Sequence, residues 1–559
     1  MVEELGSILV FAGRPLPNNA ATKLVFIQYR TYDSWGIYLL DISSSQRIVM
    51  DVLPTDTWRE GVVYEQLRTF GWSPDDRYFA YCRSRQKMIV ICDGVSGERL
   101  AVFYVDKSLS TGTWLSSNTL VCSDGEQIFD VHQIDQQWVG PNSFVSPEIL
   151  KQNGISATNP VQSLQAFSPD TLLWQQGGEI WCNKETNAPI RIWQTMTNEL
   201  VEYSYSQEAQ KFLLHFRDKQ GAYFADLPPP TDRTLSTNPH AFAIPNTLEN
   251  EERIESSDYR PAQVRLINRG LGYAYLNESD FSLNTPVVRF ERSQAPVRLP
   301  FQGEIKSFGL SRQQLFAISS LTNEPAGIWK IDLASGSLQQ IVSNQERPFH
   351  FATSQPTSES FVTNAAGKRL TYYLLEPSHF TPRRKTPLVV GVMGKLEKAY
   401  NWDRYAQTIA NCGYYFVIVD RRNSDLSEWT DEALFVYDTL IRKLEIDTNN
   451  VSLLGISVGA STANTLLETR PEMWRGIMFY SPNSLPDPSR LGVSRILIDI
   501  GELDKYSGEN GATAKKFRDT AASAGINVTL LVRPGVGHNC RLLSIEKERL
   551  HQLAGFLGQ

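Results

Sequence analysis

Two rhythms of apolar and polar positions divide the chain. From about Thr22 to Ser343 the apolar residues come in short runs, and no stretch sustains a 3.6-residue period. These runs are rich in aromatic and β-branched residues and are cut by polar turns, which predicts many short strands. Beyond residue 349 the pattern changes. Unbroken apolar runs such as Leu388-Val389-Val390, Phe416-Val417-Ile418-Val419 and Ile496-Leu497-Ile498 read as buried strands. Helical stretches are predicted at residues 460–467 and 542–557.

A weak repeat runs through the first region. Its clearest copy begins Phe70-Gly71-Trp72-Ser73-Pro74-Asp75-Asp76, continues through the apolar run at 78–82, and ends in Asp93-Gly94-Val95-Ser96-Gly97. Ala166-Phe167-Ser168-Pro169-Asp170 starts another, and Phe308-Gly309-Leu310-Ser311 a degenerate one that reaches Ser335-Gly336. Each unit reads as four short strands in roughly 40–50 residues, the period of a propeller blade. Starts near Thr22, Leu67, Ser110, Gln162, Glu199, Gln263 and Ile305 suggest about seven blades. A pair of β-sandwiches is the structural alternative.

The second region holds Gly455-Ile456-Ser457-Val458-Gly459, between an apolar strand and a small-residue helix. The five letters occur by chance in roughly one in seven chains of this length. Their context is that of a nucleophile elbow, in which a tight strand-to-helix turn lifts a serine hydroxyl above the sheet. An acid and then a histidine should follow. After the apolar run at 495–500, Asp504 stands just past a strand end, with Glu502, Asp499 and the earlier Asp487 as rivals. Of seven histidines, only His538 and His551 follow Ser457. His551 falls within the predicted helix, whereas His538 lies in a glycine-flanked loop after the last predicted strand.

These residue types point to acyl transfer. A serine hydroxyl needs a base to take its proton, the base needs an orienting carboxylate, and the oxyanion needs fixed donors. The backbone N–H of Val458 is expected as one donor. The second is expected from the N–H of Val392 or Met393, after the strand that begins at Pro387.

Composition narrows the rest. With 559 residues, 41% of them hydrophobic, the chain can form more than one core. No apolar run reaches membrane-spanning length, and the acidic start lacks the basic region of a signal peptide. A cytoplasmic location is expected, or a secreted or periplasmic one if a leader has been removed. A net charge of −7 without a basic stripe argues against nucleic acid. Cys82, Cys92, Cys122, Cys182, Cys412 and Cys540 are widely spaced, so reduced thiols are expected and neither a metal nor a cofactor is. Oligomeric state is left open.

Ser-Pro-Asp blades followed by a serine-hydrolase region resemble the prolyl oligopeptidase family. The segment at 361–377, Gly413 to Asp420, Arg422-Asn423-Ser424, Gly455 to Gly459, Gly501 to Asp504 and Gly537-His538 fall in that family's order. The resemblance implies a β-propeller at residues 1–348 capping a C-terminal α/β-hydrolase domain at 349–559. It also implies a Ser457–Asp504–His538 triad and short peptide substrates admitted by a size filter. Three departures qualify it. Val392 stands where some members carry an oxyanion-binding tyrosine, leaving main chain or a side chain such as Tyr400. Only 47 residue steps separate Ser457 from Asp504, too few for the usual proline-pocket lining. Glu251-Glu252 reads as a solvated charge run rather than an amine anchor. A peptidase is therefore expected first. An esterase or amidase on small acyl substrates is the alternative, and a catalytically weak propeller–hydrolase that binds partners is a third.

Overall fold

In the computed structural model, described residues span 11–54, 67–145, 161–227, 252–343, 360–392, 404–419, 426–538 and 543–558, apart from short connections. Across residues 199–304 strand paths are described without side chains. Among the described residues, seven four-stranded antiparallel sheets occupy 11–54, 67–104, 111–145, 161–194, 199–254, 261–298 and 303–342. They are numbered here as blades 1 to 7. In each blade the four strands follow one another along the chain, and among the described residues none pairs across the first and last blades.

Six blades begin within two residues of the expected positions. Blade 1 does not: it starts at Phe11–Pro17, ahead of the expected Thr22. That strand contains Pro15 and Pro17 and a bulge between Ala12 and Leu16, which hide the strand rhythm.

The ring closes by packing and hydrogen bonding. Phe11, Leu24, Phe26 and Leu40 of blade 1 share one apolar cluster with Phe316, Ile318, Ile328 and Val342 of blade 7. The Asn18-Asn19-Ala20 turn of blade 1 is held from both sides. From blade 7, Ser311 Oγ donates to the Asn18 and Asn19 carbonyls at 2.6 and 3.0 Å. From blade 2, the Asp76 carboxylate accepts the N–H groups of Asn19 and Ala20 at 2.7 and 2.8 Å, and both asparagine amides. Asp76 belongs to the Ser-Pro-Asp turn itself, where Tyr78 N–H donates to Ser73 Oγ at 3.0 Å and Asp75 accepts from Ser73 Oγ at 2.7 Å. One aspartate of the repeat thus builds its own turn and the next clasps the neighbouring blade.

Asp76→Ala should therefore destabilise the propeller by about 1–3 kcal/mol, through the loss of several hydrogen bonds to a charged acceptor. Asp75→Ala should cost less, because it disturbs one turn only. Denaturant midpoints of the two variants decide between them.

The Asp-x-x-Ser turns repeat as well. Asp41 accepts from Ser43 and Ser44, Asp93 from Val95 and Ser96, and Asp332 from Ala334 and Ser335. The Ser43 hydroxyl and the Ser44 donors hold the Asp41 carboxyl at about 2. Cys82, Cys92, Cys122 and Cys182 are buried thiols, and burial pushes Cys82 and Cys92 up to about 11 and 12. Cys540 lies outside the described residues.

The described residues from 360 onward form one eight-stranded sheet with its helices. Its elements are β1 (Ser360–Thr363), β2 (Arg369–Leu375), β3 (Thr386–Val392), α1 (Arg404–Asn411), β4 (Tyr415–Val419), α2 (Leu426–Lys443) and β5 (Ile446–Ile456). There follow α3 (Gly459–Thr469), β6 (Gly476–Tyr480), β7 (Arg495–Gly501), α4 (Ala512–Ser523), β8 (Asn527–Arg533) and α5 (Leu543–Gly558). Strand order is β1-β2-β4-β3-β5-β6-β7-β8, parallel from β4 onward. Side chains of α2, α3 and α4 join the core on one face, and those of α1 and α5 join it on the other. Both faces are covered, which is why these strands read as continuous apolar runs. The order reverses at β3, so β3 and β5 flank the crevice at the carboxyl ends where open α/β sheets bind ligands. The expected domain division near residue 348 lies outside the described residues. Among the described residues, no helix is long and apolar enough to cross a membrane.

Candidate active site

Ser457 follows β5 directly and has φ +53°, a left-handed conformation that costs a non-glycine residue roughly 1–2 kcal/mol. The surroundings hold it there. Its N–H donates to the Tyr480 carbonyl at 3.1 Å, and its own carbonyl accepts from Ala460 N at 3.0 Å and Asn483 N at 3.3 Å. Gly455 lets the helix come close: a Cβ there would lie 3.2 Å from both Ala460 Cα and Ala463 Cβ. Val458 is already helical, at φ −60° and ψ −23°. Among the described residues no backbone carbonyl takes its N–H.

Ser457 Oγ lies 2.9 Å from His538 Nε2, and His538 Nδ1 lies 2.8 Å from Asp504 Oδ2. The second Asp504 oxygen accepts the Tyr506 N–H at 2.9 Å. Asp504 has no exposed side-chain surface, whereas His538 keeps 21%. A buried carboxylate thus faces a partly open imidazole, with the serine hydroxyl on its far nitrogen.

The rival acids are occupied elsewhere. Glu502 turns back and accepts the Gly535 N–H at 2.7 Å, tying the acid loop to the histidine loop. Asp499 is buried against Arg533 and Arg549. Asp487 caps the short turn Pro488–Arg490 through the Ser489 N–H. His551 is exposed on α5. Val392 is buried in β3, in register with Gly455 on β5. Met393 and Tyr400 lie outside the described residues, as do Glu251 and the side chain of Glu252.

Two residues near the serine escaped the sequence reading. Tyr506 sets its ring edge-on to His538, centroids 4.8 Å apart, while 46% of the residue stays exposed. A lone loop aromatic carries no periodic signal. Asn483 binds the Ser457 carbonyl through its N–H and accepts from Ser461 Oγ at 3.1 Å. Its neighbour Ser484 bonds Ser461 and Asn464 at 3.0 Å each. The short β6–β7 connection therefore places a polar patch beside the elbow.

Gly501 sets the spacing of the acid and histidine loops. A Cβ there would stand 2.2 Å from the Val536 carbonyl oxygen and 2.5 Å from that of Gly537, backbone atoms with no rotamer to give way. Gly501→Ala should push the two loops apart, lowering stability by about 1–3 kcal/mol. Any hydrolytic turnover at Ser457 should fall roughly 100-fold, as for a misplacement near 1 Å. Denaturant unfolding and a hydrolysis assay on one preparation measure both effects.

No family model matches the chain, and no curated protein matches it in sequence. Solved structures match it along its whole length. An acylaminoacyl peptidase in complex with Z-Gly-Gly-Phe-chloromethyl ketone superposes with a TM-score of 0.70 at 12% identity, covering 100% of this chain and 97% of that one. A puromycin-hydrolyzing peptidase of Mycobacterium tuberculosis also gives 0.70 at 12%, covering 100% and 95%. A prolyl endopeptidase gives 0.63 at 14%, covering 100% and 90%. The chain has the propeller–hydrolase fold of these serine peptidases. At such identities the likeness is one of fold, and the functional argument rests on the residues around Ser457.

Proposed function

We propose that the protein is a serine hydrolase of prolyl-oligopeptidase type that cleaves short peptides through an acyl-enzyme. The observation that carries this reading is the hydrogen-bonded chain from Ser457 Oγ through His538 to buried Asp504, built on a strained serine at the end of a central strand. Strained backbone of this kind persists only where the surroundings enforce it, and active sites are one place where it gathers.

His538 Nε2 takes the hydroxyl proton as Ser457 Oγ attacks the substrate carbonyl carbon. Asp504 keeps the Nδ1 proton in place and stabilises the imidazolium. The oxyanion is received by the Val458 N–H, with a second donor from Val392 or Met393. As the tetrahedral intermediate collapses, His538 gives its proton to the departing amine. Water then repeats the sequence on the ester, releasing the acid and restoring the serine. Peptides are favoured as substrates by the similarity to acylaminoacyl and prolyl peptidases and to a structure holding a peptide chloromethyl ketone. A propeller cap would admit such substrates by size.

A specific observation favours a second reading, an esterase or amidase on small acyl groups. The connection between β6 and β7 is short, and beside the elbow it presents the polar Asn483 and Ser484, which bond Ser461 and Asn464 of α3. Fluorophosphonate labelling tests the shared mechanism, and a panel of aminoacyl amides, Xaa-Pro amides and p-nitrophenyl esters tests the substrate. Ester turnover without amide cleavage would select the esterase. Native protein that does not label would leave a binding protein.

A further inference from the structure

Beneath the Ser457–His538–Asp504 chain lies a second polar cluster that the proposed chemistry does not use. Asp499, on β7, is fully buried. Its Oδ2 accepts from Arg533 Nε and Nη2 at 3.1 and 2.7 Å, and its Oδ1 from Arg549 Nε and Nη2 at 3.2 and 3.1 Å. Arg549 Nη2 also donates to Ser481 Oγ at 3.2 Å, and the Ser481 N–H donates to the Asp499 carbonyl at 2.8 Å. Arg533 is paired in addition with Glu548. Among the described residues, two guanidiniums thus meet two carboxylates.

Each strand end gathered at this cluster leads within a few residues to the site. β7 passes from Asp499 to Asp504, and Arg533 at the end of β8 leads to His538. Ser481, just past β6, leads to Asn483, whose N–H holds the Ser457 carbonyl. Ser481 is itself buried at φ +44°, a conformation its neighbours must enforce. The fourth element, α5, brings Arg549 from behind the sheet.

We propose that Asp499 is a positioning residue: gripped by Arg533 and Arg549, it sets the relative placement of the acid loop, the histidine loop and the elbow. This rests on the hydrolase reading given above. Buried ion clusters are poor sources of stability, since apolar side chains of like volume often hold a core as well or better. What forked guanidinium–carboxylate pairing adds is direction. Here the direction is transmitted to three loops at once, and a misplacement near 1 Å at a reacting centre can cost roughly 100-fold in rate.

Two variants test it. Asp499→Leu combined with Arg533→Met and Arg549→Met removes the buried charges together, and Arg549→Lys keeps the charge while losing the fork. The triple variant should fold with near-native circular dichroism, hold KM within about twofold and lose kcat roughly 10- to 100-fold. Arg549→Lys should fall in the same direction by a smaller factor, with a displaced or broadened low-field proton signal from His538 Nδ1. If the triple variant does not fold, Arg549→Lys decides alone. A folded variant with wild-type kcat and an unmoved His538 signal overturns the proposal. Wild-type protein inert to fluorophosphonate and to every substrate overturns the hydrolase reading instead.

Discussion

Ser457→Ala should abolish hydrolysis, lowering kcat by roughly four to six orders of magnitude while leaving the fold intact. In the proposed mechanism the hydroxyl forms the bond to substrate, so without it only binding and the oxyanion donors would sustain a residue of activity. The backbone at this position is fixed by partners that alanine does not disturb. Tyr480 still receives the N–H, and Ala460 and Asn483 still donate to the carbonyl. Alanine tolerates φ +53° no better than serine does, so stability should stay within about 1 kcal/mol of wild type. Fluorophosphonate labelling of both proteins, with denaturant unfolding alongside, gives the comparison. A variant that labels as wild type does would place the nucleophile elsewhere. His538→Ala should lose a similar amount, and the double variant little more, because the residues act as a unit.

The elbow was legible because its chemistry is local. Gly455, Ser457 and Gly459 lie within five residues, and the strand before them and the helix after them have opposite rhythms. Asp504 and His538 were legible for a different reason. Each stands just beyond a buried strand, and parallel strands bring such loops to one edge of the sheet. Blades 2 and 4 were readable from their Ser-Pro-Asp turns, the first of which bonds its own backbone at short range, and the other starts from the rhythm of short apolar runs.

Long-range polar contacts were not legible. Asp499 looks like a stray acid inside an apolar run until Arg533, 34 positions on, and Arg549, 50 positions on, close around it. Asp76 looks like any turn residue, although its carboxylate serves a turn more than fifty residues earlier. Tyr506 and Asn483 sit in loops, where nothing periodic marks them out. Blade 1 lost its first strand to its own prolines. Apart from that strand, the missing information is a pairing between distant segments, which a single sequence does not encode locally.

Asp504→Asn should cost nearly as much as losing the serine, about four orders of magnitude in kcat with KM little changed. The reason is a proton rather than a charge alone. In the native site Asp504 accepts at both oxygens, from the Tyr506 N–H and from His538 Nδ1. An asparagine has one acceptor and one donor end. The Tyr506 N–H demands the acceptor, which turns the amide NH2 toward His538. Nδ1 must then accept, and the ring proton moves to Nε2, where it faces Ser457 Oγ and can no longer take the hydroxyl proton. Stability should fall little, since the shape and both hydrogen bonds survive. Because Glu502 is committed to the Gly535 N–H, it cannot substitute. Steady-state kinetics on an activated ester, beside denaturant unfolding of the same preparation, measure this. A folded Asp504→Asn protein that keeps more than about a tenth of the native kcat would show that another group orients the histidine.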